Sequence, residues 1–142
     1  MRLLYNSIII IVIIISPVII IFRILNGKEN LKSILEKFGF SKKRRNKGKL
    51  LWFHCSSVGE FLSIIPLIER LEKERDIKNI LVSTSTLSSS KIFNKFNFKK
   101  TFHQFYPLDN SLIVNNFLNH WKPSVAFFIE SEIWPEMIRS LK

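Results

Sequence analysis

The sequence predicts an α/β fold: a Rossmann-like parallel sheet preceded by an N-terminal transmembrane helix. Two observations predict it. Residues 3–25 form one nearly uncharged apolar stretch. Beyond Lys49, short apolar runs alternate with helical periodicity at intervals of about 20–30 residues, the rhythm of strand, helix and strand in a parallel sheet. A chain of 142 residues holds one domain with a real core and is short for two. Cys55 is the sole cysteine, so no internal disulfide forms, which fits a reducing compartment.

The N-terminal stretch reads LLYNSIIIIVIIISPVIIIFRIL, 23 residues with one charge, Arg23, near its end. As a helix it spans about 34 Å at roughly 1.5 Å per residue, against a hydrocarbon core of about 30 Å. Pro17 is expected to kink it, with Ser16 helping to satisfy the backbone. A signal peptide would carry a small-x-small cleavage site and a shorter apolar run. A buried core helix would not need such uniform isoleucine. The expectation is a membrane anchor over residues 1–26. Only Arg2 and the α-amino group precede the span, while ten Lys and Arg lie between Arg23 and Leu50. The positive-inside rule then places the remainder in the cytoplasm.

Those ten basic residues face only Glu29 and Glu36, so +8 of the net charge of +11 is concentrated there. Residues 27–49 are expected to form a basic membrane-surface segment. Leu31, Ile34, Leu35 and Phe38 recur at helical spacing among Lys28, Lys32 and Lys37, and KKRRNKGK follows over residues 42–49. Next to anionic lipid each such charge contributes about 1 kcal/mol. A solvated linker or a nucleic-acid-binding arm would share the composition, but a basic run directly after a membrane span favours lipid headgroups.

Residues 50–142 are expected to form the α/β lobe. LLWFHC, 50–55, reads as a buried strand, and Phe61, Leu62, Ile65, Ile68 and Leu71 mark one face of the helix after it. NILVST, 79–84, is a second strand, followed by a Ser/Thr-rich turn and a helix carrying Ile92, Phe93 and Phe96. FHQFYP, 102–107, is a third strand with a proline stop. SLIVNNFLNHW is a helix, PSVAFFIE, 123–130, a fourth strand, and WPEMIRSLK opens a last helix with Pro135 in its first turn. A doubly wound domain usually carries further strands, so the sequence is expected to be cut short.

In an open α/β sheet, ligands bind beyond the carboxyl ends of the strands, where the strand order reverses. The common order 3-2-1-4 makes the first and fourth strands neighbours at that point, so Glu60 and Glu130 should face one crevice. Gly59 lets the backbone turn, and a carboxylate at a helix N-terminus is favoured in the charged form that a general base needs. The same physics describes an ordinary first-turn acid, and for Glu60 alone that reading leads. Glu130 and Glu132 follow the apolar AFFI and need partners or a polar crevice there. Paired acids on one cleft suggest glycosyl chemistry. Alternatively, Glu132 or Glu136 caps the last helix while Glu130 pairs with a lysine. Glu130 is the more apt to face the crevice, and Glu136 is expected to be merely solvated.

The remaining candidates carry less. His54 reads as a satisfied semi-buried histidine, His103 and His120 are scattered, and no metal-ligand spacing exists. Cys55 reads as a small core residue. STSTLSSS could hold hydroxyls around a sugar or phosphate, or be a turn, and it lacks the glycines of a phosphate-cradling loop. Trp52, Trp121 and Trp134 read as core or interface anchors.

The blocks WFHCSSVGEFLSIIPLI, LVSTSTLSSS, FYPLDN and FLNHWKPSVAFFIESEIWPEMI resemble, in this order, the N-terminal half of 3-deoxy-D-manno-octulosonic acid (Kdo) transferases, glycosyltransferases of lipopolysaccharide assembly. The resemblance runs from the anchor through Ile138, and S-x-G-E together with E-x-E-x-W-P makes it specific. It implies a two-lobed, inverting GT-B enzyme that moves Kdo from CMP-Kdo to a lipid A precursor, lipid IVA, at the cytoplasmic face of the inner membrane, without metal or cofactor. It maps the family's proton acceptor onto Glu60 and its transition-state stabiliser onto Glu130, which turns the reading of Glu60 to a catalytic base. Ser89 stands where the family commonly has glycine, and Cys55 where it often has another small residue. The donor-binding lobe is expected to be absent from these residues, so none is assigned to CMP and the chain by itself is expected to be inactive. The competing reading is a non-catalytic, membrane-anchored lipid-binding module from a truncated gene. Nucleic-acid binding offers no role for paired acids.

Overall fold

The computed structural model describes residues 2–129 and 134–141, with the side chains of residues 2–10, 12, 13 and 16 left aside. The N-terminal stretch is one helix, α1 (Arg2–Leu25), with Pro17 inside it. Among the described residues no helix is long and apolar enough to cross a membrane. The side chains of Ile8, Ile9, Ile10 and Ile13 are among those left aside, and a membrane role for α1 rests on its sequence.

A short helix, α2 (Leu31–Lys37), opens with Asn30 and Ser33 in a reciprocal capping box. The lobe follows as β1 (Leu50–Cys55), α3 (Val58–Lys73), β2 (Asn79–Thr84), α4 (Leu87–Phe93), β3 (Thr101–Phe105), α5 (Ser111–Trp121), β4 (Val125–Phe128) and α6 (Pro135–Ser140). All pairings are parallel, and the strand order is β3-β2-β1-β4, the doubly wound order expected from the sequence. The third and fourth strands are shorter than expected. Pro107 has no N–H to extend β3, and Pro123 none to begin β4.

Alternating side chains of β1 split the core into two layers. Phe53 and Cys55 join Phe61, Ile65 and Ile68 of α3 and Val82 of β2 on one face. Leu50 and Trp52 join Leu81, Val114, Phe117, Trp121 and Met137 on the other. Burying β1 on both faces is why its sequence is a continuous apolar run rather than an alternating one.

Residues 27–49 lie against this lobe, and the structure divides their basic run in two. Lys43 Nζ donates to the backbone carbonyl of His103, and Arg45 Nη1 donates to the carbonyls of Trp121 and Lys122, closing the C-terminus of α5. Lys42, Arg44, Lys47 and Lys49 are exposed. Burial lowers the Lys43 ammonium from its ordinary range, with Glu36 opposing and Lys32 adding to the shift. Within residues 42–49 these exposed four can meet an anionic surface, while Lys43 and Arg45 serve the lobe.

Candidate functional site

At the carboxyl end of β1 the chain turns through Ser56 and Ser57 into α3. Ser57 is the N-cap, its Oγ accepting the Glu60 N–H at 3.2 Å. The Glu60 carboxylate reaches back: Oε2 accepts the Ser56 N–H at 2.8 Å, and Oε1 accepts the Ser57 N–H at 3.0 Å and the Ser57 hydroxyl at 2.5 Å. This is a capping box, and the S-x-x-E of Ser57 and Glu60 is its sequence signature. Sequence reasoning had placed Glu60 at the turn but not the two serines whose backbone donors hold it. The half-buried carboxylate keeps capacity for a further donor, since two oxygens offer about four lone-pair sites and three are used.

The turn lies at the switch point. β1 is flanked by β2 and β4, and the Ile129 N–H donates to His54 O at 3.0 Å, carrying the β1–β4 pairing one residue past β4. Glu130, the second expected site residue, and Glu132 lie outside the described residues. Glu136 corrects an expectation. It is buried rather than solvated, and its Oε2 accepts Arg139 Nη2 at 2.6 Å. The first turn of α6 is bound instead by Asp109, which accepts the N–H groups of Glu136 and Met137 at 3.1 and 2.9 Å.

His54 is buried beneath the turn. Its Nδ1 lies 3.0 Å from Ser83 Oγ, and its ring stacks on Tyr106 with centroids 3.9 Å apart. His103, equally buried, bonds Thr84 Oγ1 through Nε2 at 2.8 Å; burial first, then the charges of Lys43 and Lys32, push it down to about 3. Burial, with the Glu60 charge adding, pushes the Cys55 thiol up to about 12, so it is an inert core group. In the Ser/Thr run, Thr86 caps α4 by accepting the Ser89 N–H, and buried Ser89 returns a hydroxyl contact at 2.9 Å. Ser89 is therefore held in this turn by its own hydroxyl and N–H. Among the described residues no three His, Cys, Asp or Glu gather as a metal would require.

A parallel sheet in this order, with a carboxylate held at the first βα turn beside the switch point, is a Rossmann-like α/β arrangement. A family profile described as 3-deoxy-D-manno-octulosonic-acid transferase (kdotransferase) matches residues 32–142. The 3-deoxy-D-manno-octulosonic acid transferase of Rickettsia bellii (strain RML369-C) is 40% identical over 121 residues, 85% of this chain and 29% of the relative. A probable mitochondrial 3-deoxy-D-manno-octulosonic acid transferase of Arabidopsis thaliana is 36% identical, over 87% of this chain and 28% of its own. The Aquifex aeolicus (strain VF5) transferase is 30% identical, over 74% and 29%. The chain belongs to the Kdo transferase family and spans less than a third of the length of these relatives.

Proposed function

We propose that this chain is the N-terminal, acceptor-binding lobe of an inverting GT-B glycosyltransferase that moves Kdo from CMP-Kdo to a lipid A precursor, lipid IVA. Glu60 is the proton acceptor from the sugar hydroxyl, and Glu130 stabilises the positive charge that develops at the anomeric carbon. CMP-Kdo is bound by a second lobe not among these residues, no metal or cofactor takes part, and the isolated lobe does not turn over. The observation that carries this reading is the Glu60 carboxylate, held by the Ser56 and Ser57 N–H groups at the switch point of a lobe belonging to this family. Backbone donors fix both oxygens before substrate arrives, which is the preorganisation a general base needs.

We place α1 in the inner membrane as a single-pass anchor with the lobe on its cytoplasmic face. Support comes from the isoleucine-rich sequence and from the outward Leu31 and Leu35 of α2, which stand beside exposed Lys28 and Lys32. Residues 1–26, 27–49 and 50–142 are then anchor, surface segment and lobe.

The test is Kdo transfer by the complete gene product. Glu60→Ala is expected to lower kcat at least 100-fold, in line with the roughly 10²–10⁴-fold contribution of a general base, with membrane association and the fold kept and only the roughly 0.5–2 kcal/mol of a lost cap removed from stability. Turnover like wild type would remove Glu60 from the reaction. A second reading, a non-catalytic lipid-binding module, is favoured by the capping box, which explains the Glu60 geometry without chemistry. It requires lipid A precursor binding that is indifferent to Glu60 and Glu130 substitution, with no transfer by wild type.

A further inference from the structure

Trp52, Tyr106 and Phe128 surround His54, a site where another apolar side chain would cost less to bury. Only 3% of His54 is exposed, and its two ring nitrogens point in functionally different directions. Nδ1 meets Ser83 Oγ at 3.0 Å on the neighbouring strand β2. Nε2 faces Ser56 Oγ at 3.5 Å, and the Ser56 N–H donates to Glu60 Oε2. Ser83 Oγ also accepts the Trp52 Nε1–H at 2.8 Å, and Nδ1 lies 3.3 Å from the Ser83 carbonyl as well, so hydroxyl and carbonyl of one residue hold this end of the ring. Whichever ring nitrogen carries the proton, Nε2 and the Ser56 hydroxyl can share one hydrogen bond, Nε2 donating in one tautomer and accepting in the other. The 3.5 Å between Nε2 and Ser56 Oγ is at the long end of hydrogen bonding.

We propose that His54 is a positioning residue for the transfer reaction: through Ser56 Oγ it holds the Ser56–Ser57 turn so that both backbone donors stay aimed at the Glu60 carboxylate. The proposal rests on the reading of Glu60 as the base. Ser83 and Trp52 fix the imidazole, Tyr106 fixes its plane, and Nε2 is the end that acts. A base displaced by about 1 Å loses on the order of 100-fold in rate, so a buried group that sets the turn has a catalytic effect without touching substrate.

The two ends of the ring can be tested separately. In the complete gene product, His54→Gln sets an amide near the Nε2 position and keeps the link to Ser56. His54→Asn sets one near Nδ1 and keeps only the link to Ser83. Kdo transfer from CMP-Kdo to a lipid A precursor is measured, with melting temperature as the check on folding. H54N and S56A are expected to lose on the order of 100-fold in kcat with KM little changed, while H54Q recovers most of it. Equal activity in H54N and H54Q, or wild-type kcat in S56A, would overturn the proposal. If neither His54 variant folds, S56A decides alone, by the same loss or its absence. E60Q is run beside them to separate the two readings: turnover like wild type there overturns the role of Glu60 itself. The Ser56 amide-proton resonance then decides the geometry. A shift in H54N but not in H54Q supports positioning, and no shift in either overturns it.

Discussion

Helices α2 and α3 are turned opposite ways to the same sheet. α3 buries Phe61, Ile64, Ile65 and Ile68. α2 buries Ser33 and Glu36, while its Leu31 and Leu35 stand 76% and 50% exposed. One helix is held by apolar volume and the other by hydrogen bonds. The Glu36 Oε2 accepts the Phe105 N–H at 2.9 Å, and Lys37 O accepts the Leu108 N–H at 2.9 Å. Buried Glu29 gathers the Ser33 hydroxyl at 2.5 Å with Arg23 and Lys37, and although burial alone would raise its carboxyl, these partners hold it below the usual range. An apolar face on a helix therefore does not by itself say which side meets the protein; the polar partners waiting on the sheet decide it.

The comparison breaks most sharply at the largest buried side chain of α3. Phe61→Ala is expected to cost about 3–5 kcal/mol in denaturant-monitored unfolding. A cost under about 1 kcal/mol would mean that α3 is not held by its core volume. On α2 the corresponding change is polar. Glu36→Ala leaves the buried Phe105 N–H without its acceptor and should cost about 1–3 kcal/mol, while Leu35→Ala should cost far less.

His103 sharpens the contrast through pH. Its folded value, about 3, lies below the ordinary 6.5, so the unfolded chain binds the proton first as pH falls. The stability it supports is complete above pH 6.5 and declines as pH drops toward 3. Between pH 7 and 5 the loss should amount to about 1–2 kcal/mol, and His103→Gln should remove that part of the slope. Parallel pH profiles for wild type and variant would refute a neutral, buried His103. The smallest effect is expected at the outward face of α2. Leu31→Ser with Leu35→Ser should change stability by no more than about 0.5 kcal/mol. It should nevertheless weaken binding to vesicles containing anionic lipid, and unchanged binding would argue against that face as a membrane contact.

Much of the lobe was legible because its inner strands, β1 and β2, are buried on both faces. LLWFHC and NILVST read as strands from their apolar runs, and the common order 3-2-1-4, which the sheet has, puts the switch point beside Glu60. The link between His54 and Ser83 was not legible. The two are 29 residues apart, and only the register that sets His54 opposite Ser83 brings them together. Nor does a run such as KKRRNKGK reveal which of its long side chains fold back on the protein, since basic residues carry no periodic signal of burial. Glu136 misled for a related reason. Its Arg139 partner is near in sequence, but Asp109, which holds the first turn of α6, is 27 residues away and only packing brings it there.

Glu36 and Lys43 carry a consequence for how copies of this protein can meet. The Tyr106 N–H of the segment after β3 donates to Thr84 on β2, so the Phe105 N–H and His103 carbonyl point away from the sheet, and Glu36 and Lys43 occupy them. Two side chains thus stand in for a missing strand. Growth of a sheet from copy to copy needs two open borders on each molecule, and at β3 the border is already filled. Strand addition at β3 would first have to displace Glu36 and Lys43.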